Sequence, residues 1–262
     1  MLDSRSVNRA AQTPRKAGPR RRLVPLTACM IVLAAALVSC SGEEPLGYLS
    51  LGDSLAAGVG STSPSEQSYA AIYRETLQEN SEREIEFRQL GLSGETAESF
   101  IGDHPEGESQ LVRAERFLEG HPGSRVTLSL GGNELLRTAD ATDRERRAAI
   151  QEYSESLAFI LQTLDEASGT PPRITVLTLY NPEPGGFTDR WVDVMNEEIR
   201  ATAQSNGASV AETRQTFDGN TEQYLRRYES GERDIHPNDR GYEALARAIA
   251  QARSAKNEPR GR

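Results

Sequence analysis

Apolar and polar positions along this chain change period repeatedly, and the changes mark its elements. "GYLSLGDS" (47–54) is a short apolar run entering Gly-Asp-Ser, which predicts a strand and a turn. Over 66–80 the apolar spacing becomes helical, with Tyr69, Ile72, Tyr73, Thr76 and Leu77 on one face. "EIEFRQLG" (84–91) alternates like a strand, and short helices are predicted from "GETAESFIG" and over 108–120. A strand over 124–133 ends in two glycines. A long amphipathic helix over 142–168 has Thr142 in position to cap it. "RITVLTLYNP" (173–182) is the most apolar strand. A helix over 191–207 ends at Asn-Gly, a weak strand spans 208–213, and a closing helix spans 238–254. This alternation predicts an α/β fold whose parallel sheet is covered by helices on both faces. Ligands then bind outside the carboxyl ends of the strands.

The first 39 residues follow another pattern. Seven basic groups and one acid, Asp3, accompany a 17-residue uncharged run, "LVPLTACMIVLAAALVS". A basic segment, an apolar segment and small residues at its end are the layout of a secretory signal. A membrane-spanning helix is the rival, but the run is short for it and Pro25 interrupts its start. Leu37-Val38-Ser39-Cys40 resembles the lipobox of bacterial lipoproteins, in which the cysteine is lipidated. The organisation expected is a signal peptide over 1–39, a lipid-anchored tether over 40–46, a folded domain over 47–254 and a disordered tail over 255–262. The location implied is extracytoplasmic: on the bacterial cell membrane with Cys40 lipidated, secreted without it.

Charge and cysteine usage narrow the function. The chain carries −9, so without its basic first 39 residues the remainder carries −15. An acidic body argues against nucleic acid and against broad adhesion to anionic lipid, leaving the N-terminal lipid as the membrane contact. The only cysteines, Cys29 and Cys40, both fall in the signal region. A mature chain beginning at Cys40 has no disulfide and no cysteine-based metal site. No His/Cys/Asp cluster has metal-ligand spacing, and no cofactor is expected. Gly52, Gly58 and Gly60 fit neither the P-loop nor the dinucleotide fingerprint.

Three predicted strands end in small polar turns: Gly52-Asp53-Ser54, Gly91-Leu92-Ser93-Gly94 and Gly131-Gly132-Asn133. In a parallel sheet these ends share one edge. That edge then holds a hydroxyl, glycine amides and a side-chain amide, which is what acyl transfer requires once a base is supplied. His236, in a late loop, is the candidate base. Each residue also has a plain structural use. Ser54 and Asn133 suit helix capping, Gly94 and Gly131 suit turns of positive φ, and Asp53 suits bonding to nearby backbone. The other histidines, His104 and His121, lie in glycine- and charge-rich loops and read as structural or solvated.

Together "LSLGDSLAAGVG", "LGLSGET", "LSLGGNE" and "DIHPNDRGY" resemble the four blocks of the GDSL, or SGNH, hydrolase family, in the family's order. The resemblance spans nearly all of the chain after the signal. It implies a three-layer α/β/α sandwich, flavodoxin-like, and a serine esterase or lipase acting on small ester or lipid substrates. Ser54 matches the nucleophile and His236 the general base. The Ser54 and Gly94 amides and the Asn133 side chain match the oxyanion hole. Glu134 stands where the family often has aspartate. A carbohydrate O-acetyl esterase or acyltransferase on envelope glycans is an alternative on the same residues, and a non-catalytic binding module is the remote one. One departure matters. The family's aspartate precedes the histidine by three residues, where this chain has Arg233. Asp234, two residues before, is the favoured partner of His236. The Arg233 carbonyl and Glu232 remain alternatives.

Overall fold

The structure, a computed structural model, describes residues 43–102 and 107–257, with side chains to Ala252. The signal segment, Cys40, His104 and the end of the tail lie outside the described residues.

In chain order the domain begins with β1 (Leu46–Gly52), α1 (Ser54–Ala57), α2 (Pro64–Gln67), α3 (Tyr69–Glu79), β2 (Ile85–Gln89), α4 (Ala97–Ile101) and α5 (Gln110–Gly120). Then come β3 (Arg125–Ser129), α6 (Gly132–Leu136), α7 (Asp143–Glu166), β4 (Arg173–Leu177), α8 (Thr188–Ser205) and β5 (Ser209–Ala211). It ends with α9 (Thr213–Phe217), α10 (Thr221–Tyr224), the strands β6 (Leu225–Arg227) and β7 (Arg233–Pro237), and α11 (Asp239–Asn257). Strands β1 to β5 form a parallel sheet in the order β2-β1-β3-β4-β5. The expected α/β/α sandwich is therefore observed.

Strand β1 is buried at every position, because helices cover both faces of the sheet. Its pleat sends Leu49 and Leu51 into a core with Val126, Leu128, Phe100, Leu157 and Met195. Tyr48 points the other way, against Tyr69, Tyr73, Tyr242 and Leu245. Each buried leucine contributes about 1.5–3 kcal/mol. Thr142 caps α7 as expected and forms a capping box with Glu145. Buried Ile150, Tyr153, Leu157, Ile160, Leu161 and Leu164 follow its helical period.

The chain leaves β1 toward β2 on one side and returns to β3 on the other. The resulting switch point between β1 and β3 opens a crevice beyond their carboxyl ends, where open α/β sheets bind ligands. Ser54 follows β1 and Asn133 follows β3.

Outside this sheet, β6 and β7 pair as an antiparallel hairpin. The sequence reading places His236 in a loop. It lies instead in β7, whose short, charged sequence hides its alternation: Asp234 and Pro237 are buried, and Ile235 is exposed. No helix among the described residues is long and apolar enough to cross a membrane.

Candidate active site

The sharp exit from β1 is made by Gly52, which has φ +120°. A Cβ there would lie 1.9 Å from the Ser129 carbonyl oxygen, so only glycine allows β1 and β3 to close at this point. Asp53 follows, buried, and accepts hydrogen bonds from the Leu55 N–H (3.0 Å) and the Ser129 hydroxyl (3.1 Å). Asp53 is thus the cap of α1 and has the structural role expected of it. Ser54 is the first helical residue, not the cap. Burial pushes the Asp53 carboxyl up to about 7, against the pull of these two donors.

His236 meets Ser54 across the crevice. Nε2 of the imidazole lies 3.0 Å from Oγ of Ser54, and Nδ1 lies 3.0 Å from Oδ1 of Asp234. A carboxylate accepts only, so Nδ1–H donates to Asp234 and Nε2 accepts from the serine hydroxyl. The D-x-H spacing works because β7 is a strand. Residues i and i+2 of a strand share a face, so Asp234 and His236 point inward together while Ile235 turns out. Of the three candidate partners, the Asp234 carboxylate is the one facing the imidazole. The Arg233 backbone stands in register with Arg227 of β6, and Glu232 lies in the hairpin turn, where its carbonyl accepts the Tyr228 N–H.

Asp234 is 4% exposed and its second oxygen is ion-paired to Arg226. Burial alone would raise its carboxyl. The hydrogen bonds and charges of His236 and Arg226 outweigh that and hold it below the ordinary aspartate value.

The hairpin is fastened to the sheet edge by contacts that the sequence did not announce. The Tyr180 hydroxyl donates to the Ile235 carbonyl at 2.6 Å. Gly60, at φ +99°, lets the loop after α1 close on the hairpin: a Cβ there would lie 2.4 Å from the Pro237 carbonyl and 3.0 Å from Cβ of His236. Thr62 donates from its N–H and hydroxyl to the Asp239 carboxylate at 2.8 and 2.7 Å, and the Tyr242 hydroxyl donates to the Val59 carbonyl at 2.7 Å.

On the opposite wall, Gly131 rather than Asn133 caps α6, with φ +109°. Asn133 Nδ2 donates to the Glu95 carbonyl at 2.7 Å. An amide nitrogen has two hydrogens, so one remains for a ligand. Gly94 has φ +84° and stands one residue before this carbonyl, though it is not among the residues lining the cavity. Glu134 accepts the Ala97 N–H at 2.6 Å, tying α6 to α4, and burial raises its carboxyl. Gln110, which sequence reasoning passed over, is buried beneath both turns. It accepts the Gly52 N–H at 2.9 Å and donates to the Gly52 carbonyl (2.8 Å) and the Glu95 carboxylate (2.6 Å).

A cavity of about 70 Å³ adjoins Ser54, Asn133 and His236. Its inner wall is apolar and buried, with Leu135, Leu179 and Val192, and Ile235 stands at its exposed side. Pro182 and Thr188 also line it, so the Gly/Pro-rich segment after β4 flanks the pocket. His121 is far from this chemistry. It stacks on Phe117, with Nδ1 2.8 Å from the Phe117 carbonyl and Nε2 2.8 Å from Glu86. Among the described residues no group of three or more His, Cys, Asp or Glu side chains is arranged to hold a metal.

A serine hydroxyl, an imidazole and a carboxylate thus stand in hydrogen-bond sequence beside a cavity at this sheet edge. The chain belongs to the GDSL-like lipase/acylhydrolase family, whose profile matches residues 50–244. It is an ester-hydrolysing enzyme. The spore germination lipase LipC of Bacillus licheniformis is 27% identical over 218 residues, spanning 79% of this chain and 96% of that one. The fold superposes on the lipase Lip_vut3 from a goat rumen metagenome with a TM-score of 0.64 at 23% identity, covering 79% of this chain and 97% of that one. It also superposes on Axe2, an acetylxylan esterase from Geobacillus stearothermophilus, with a TM-score of 0.57 at 20% identity, covering 80% and 94%.

Proposed function

We propose that this enzyme is an extracytoplasmic serine esterase, lipid-anchored through Cys40, that cleaves short-chain carboxylic esters through an acyl-enzyme. The observation that carries the catalytic reading is the pair of 3.0 Å contacts linking Ser54, His236 and Asp234. His236 takes the Ser54 proton as Oγ attacks the ester carbonyl, and Asp234 stabilises the imidazolium that forms. The oxyanion is held by the Ser54 and Gly94 N–H groups and by the Asn133 N–H not donated to Glu95. His236 then protonates the leaving alcohol. Water, deprotonated by the same imidazole, releases the acid and restores Ser54.

The anchor reading is supported by the basic and apolar segments before Leu37-Val38-Ser39-Cys40 and by the polar "SGEE" that follows. The short-chain reading is supported by the cavity. One water needs about 10–15 Å³ of such space, so about 70 Å³ holds a few water-sized groups, the span of a short acyl chain. The same small volume favours, as a second reading, acetyl groups on envelope glycans.

A panel of p-nitrophenyl esters from acetate to decanoate, with acetylated glycan and lysophospholipid alongside, tests the proposal. Turnover should be highest on the shorter chains and absent from Ser54→Ala. Inactivity of the wild type on every ester, or an active Ser54→Ala, would refute it. Acetate release from glycan exceeding the turnover of simple esters would select the second reading.

A further inference from the structure

The β6–β7 hairpin contains more than the histidine and its acid. Its register pairs Leu225 with Pro237 and Arg227 with Arg233. One residue, Arg226, therefore spans the stretch opposite three, Asp234–His236. Such a bulge re-aims side chains on the longer strand, and here it gathers Arg226, Asp234 and His236 at one place.

We propose that Arg226 is a positioning residue for catalysis: from the facing strand its guanidinium holds Oδ2 of Asp234, which fixes Oδ1 on Nδ1 of His236. The need for it follows from the D-x-H spacing. Oδ1 of Asp234 also accepts the Ile235 N–H at 2.7 Å, so the carboxylate is drawn toward its own backbone. A partner on the second oxygen stops rotation about the carboxyl bond and keeps Oδ1 on the imidazole. Asp234 is buried, so an empty Oδ2 would carry a desolvation penalty.

The other cations of the hairpin are engaged elsewhere. Arg227 and Arg233 both pair with Glu222, and Arg227 also donates to the Gly231 carbonyl at 2.8 Å. Arg226 itself lies over the Tyr228 ring, 5.1 Å from its centroid. From the remaining elements, Tyr180 and Tyr242 are the titratable neighbours of Asp234, and burial raises both phenols. Arg226 is thus the cation that acts on this carboxylate beside the imidazole itself.

The inference rests on the Ser54-His236 reading, and its test is kept separate from that reading. Arg226→Met and Arg226→Lys are compared with wild type on one p-nitrophenyl ester, recording kcat, KM and the acid limb of kcat/KM against pH. That limb reports the base of the free enzyme. Arg226→Met should lower kcat about 10- to 100-fold, the usual cost of losing an outer partner, with KM little changed. Its acid limb should move up by about half to one pH unit, because a cation near the imidazolium has gone. Arg226→Lys should return the limb to its wild-type position and recover most of kcat. An unmoved acid limb in Arg226→Met, with kcat intact or reduced, overturns the proposal. So does a limb in Arg226→Lys that stays with the Met variant. If Arg226→Met does not accumulate as folded protein, Arg226→Gln replaces it under the same criteria. An active Ser54→Ala would defeat the underlying reading, whereas inactive Ser54→Ala with an unmoved limb defeats only the role of Arg226.

Discussion

The two walls of the active-site crevice are built differently. The wall bearing Ser54 and Asn133 grows from the ends of β1 and β3, parallel strands buried between two helical layers. Its geometry is fixed by buried groups of the same layer: the tight Gly52–Ser129 closure, the Asp53 cap and the Gln110 bridge between Gly52 and Glu95. The wall bearing Asp234 and His236 is a two-stranded hairpin outside the main sheet. An isolated hairpin is marginal in water, so this one depends on groups outside its two strands: Tyr180, the Gly60 loop and the Asn238 amide, which donates to the Gln223 and Leu225 carbonyls at 2.8 and 3.1 Å. The wall bearing Ser54 and Asn133 is therefore organised by the core, and the wall bearing Asp234 and His236 by attachments. Substitutions on the hairpin should damage catalysis without unfolding the domain.

Two substitutions probe that contrast, the larger effect first. Asp234→Asn keeps the size of the side chain and removes its charge. The imidazole loses its tautomer-fixing acceptor, and kcat should fall about 10²- to 10⁴-fold. Thermal unfolding should change little in comparison. A near-wild-type kcat would hand the role to a backbone carbonyl and remove Asp234 from the mechanism. Gly60→Ala tests an attachment rather than the relay. The added Cβ meets the Pro237 carbonyl at 2.4 Å in a left-handed conformation, so the loop and hairpin must separate. About a tenfold loss of kcat is expected if the His236 imidazole shifts by a few tenths of an ångström, with about 1–3 kcal/mol of lost stability. Unchanged kinetics would mean that the hairpin keeps its position without that loop.

Much of the sheet side is legible in the sequence. Apolar runs such as "YLSLG" and "RITVL" are long enough to mark buried strands; β3 and β4 fall within the expected segments, and β1 begins one residue before its own. Helix ends are equally readable at Thr142, where the capping box leaves a local signature, and at Asn206-Gly207, where the helix stops. The hairpin is not legible in this way. "LRR" and "RDIHP" are short and charged, and their pairing depends on a turn that apolar periodicity does not reveal. The strand order is a non-local choice, and so are the contacts that complete the site. Tyr180 reaches Ile235 across 55 residues, and Ser54 meets His236 across 182. Family blocks supplied Ser54, Gly94, Asn133 and His236 because each is a local motif. Arg226 and Gln110 belong to no local pattern, and Gly60 ends the first block without any sign there of its contact with the hairpin; only their places in the fold distinguish them. The altered spacing before His236 was visible in the sequence, but its resolution needed β7 to be a strand.

The central claim is that Ser54 is a nucleophile activated by His236. Fluorophosphonate labelling followed by mass spectrometry of the intact and digested protein tests it most directly. The account predicts a single adduct, on Ser54, formed rapidly in the wild type and at least about 10³-fold more slowly in His236→Ala. An adduct on another residue, or labelling of Ser54 at the wild-type rate in His236→Ala, would contradict it.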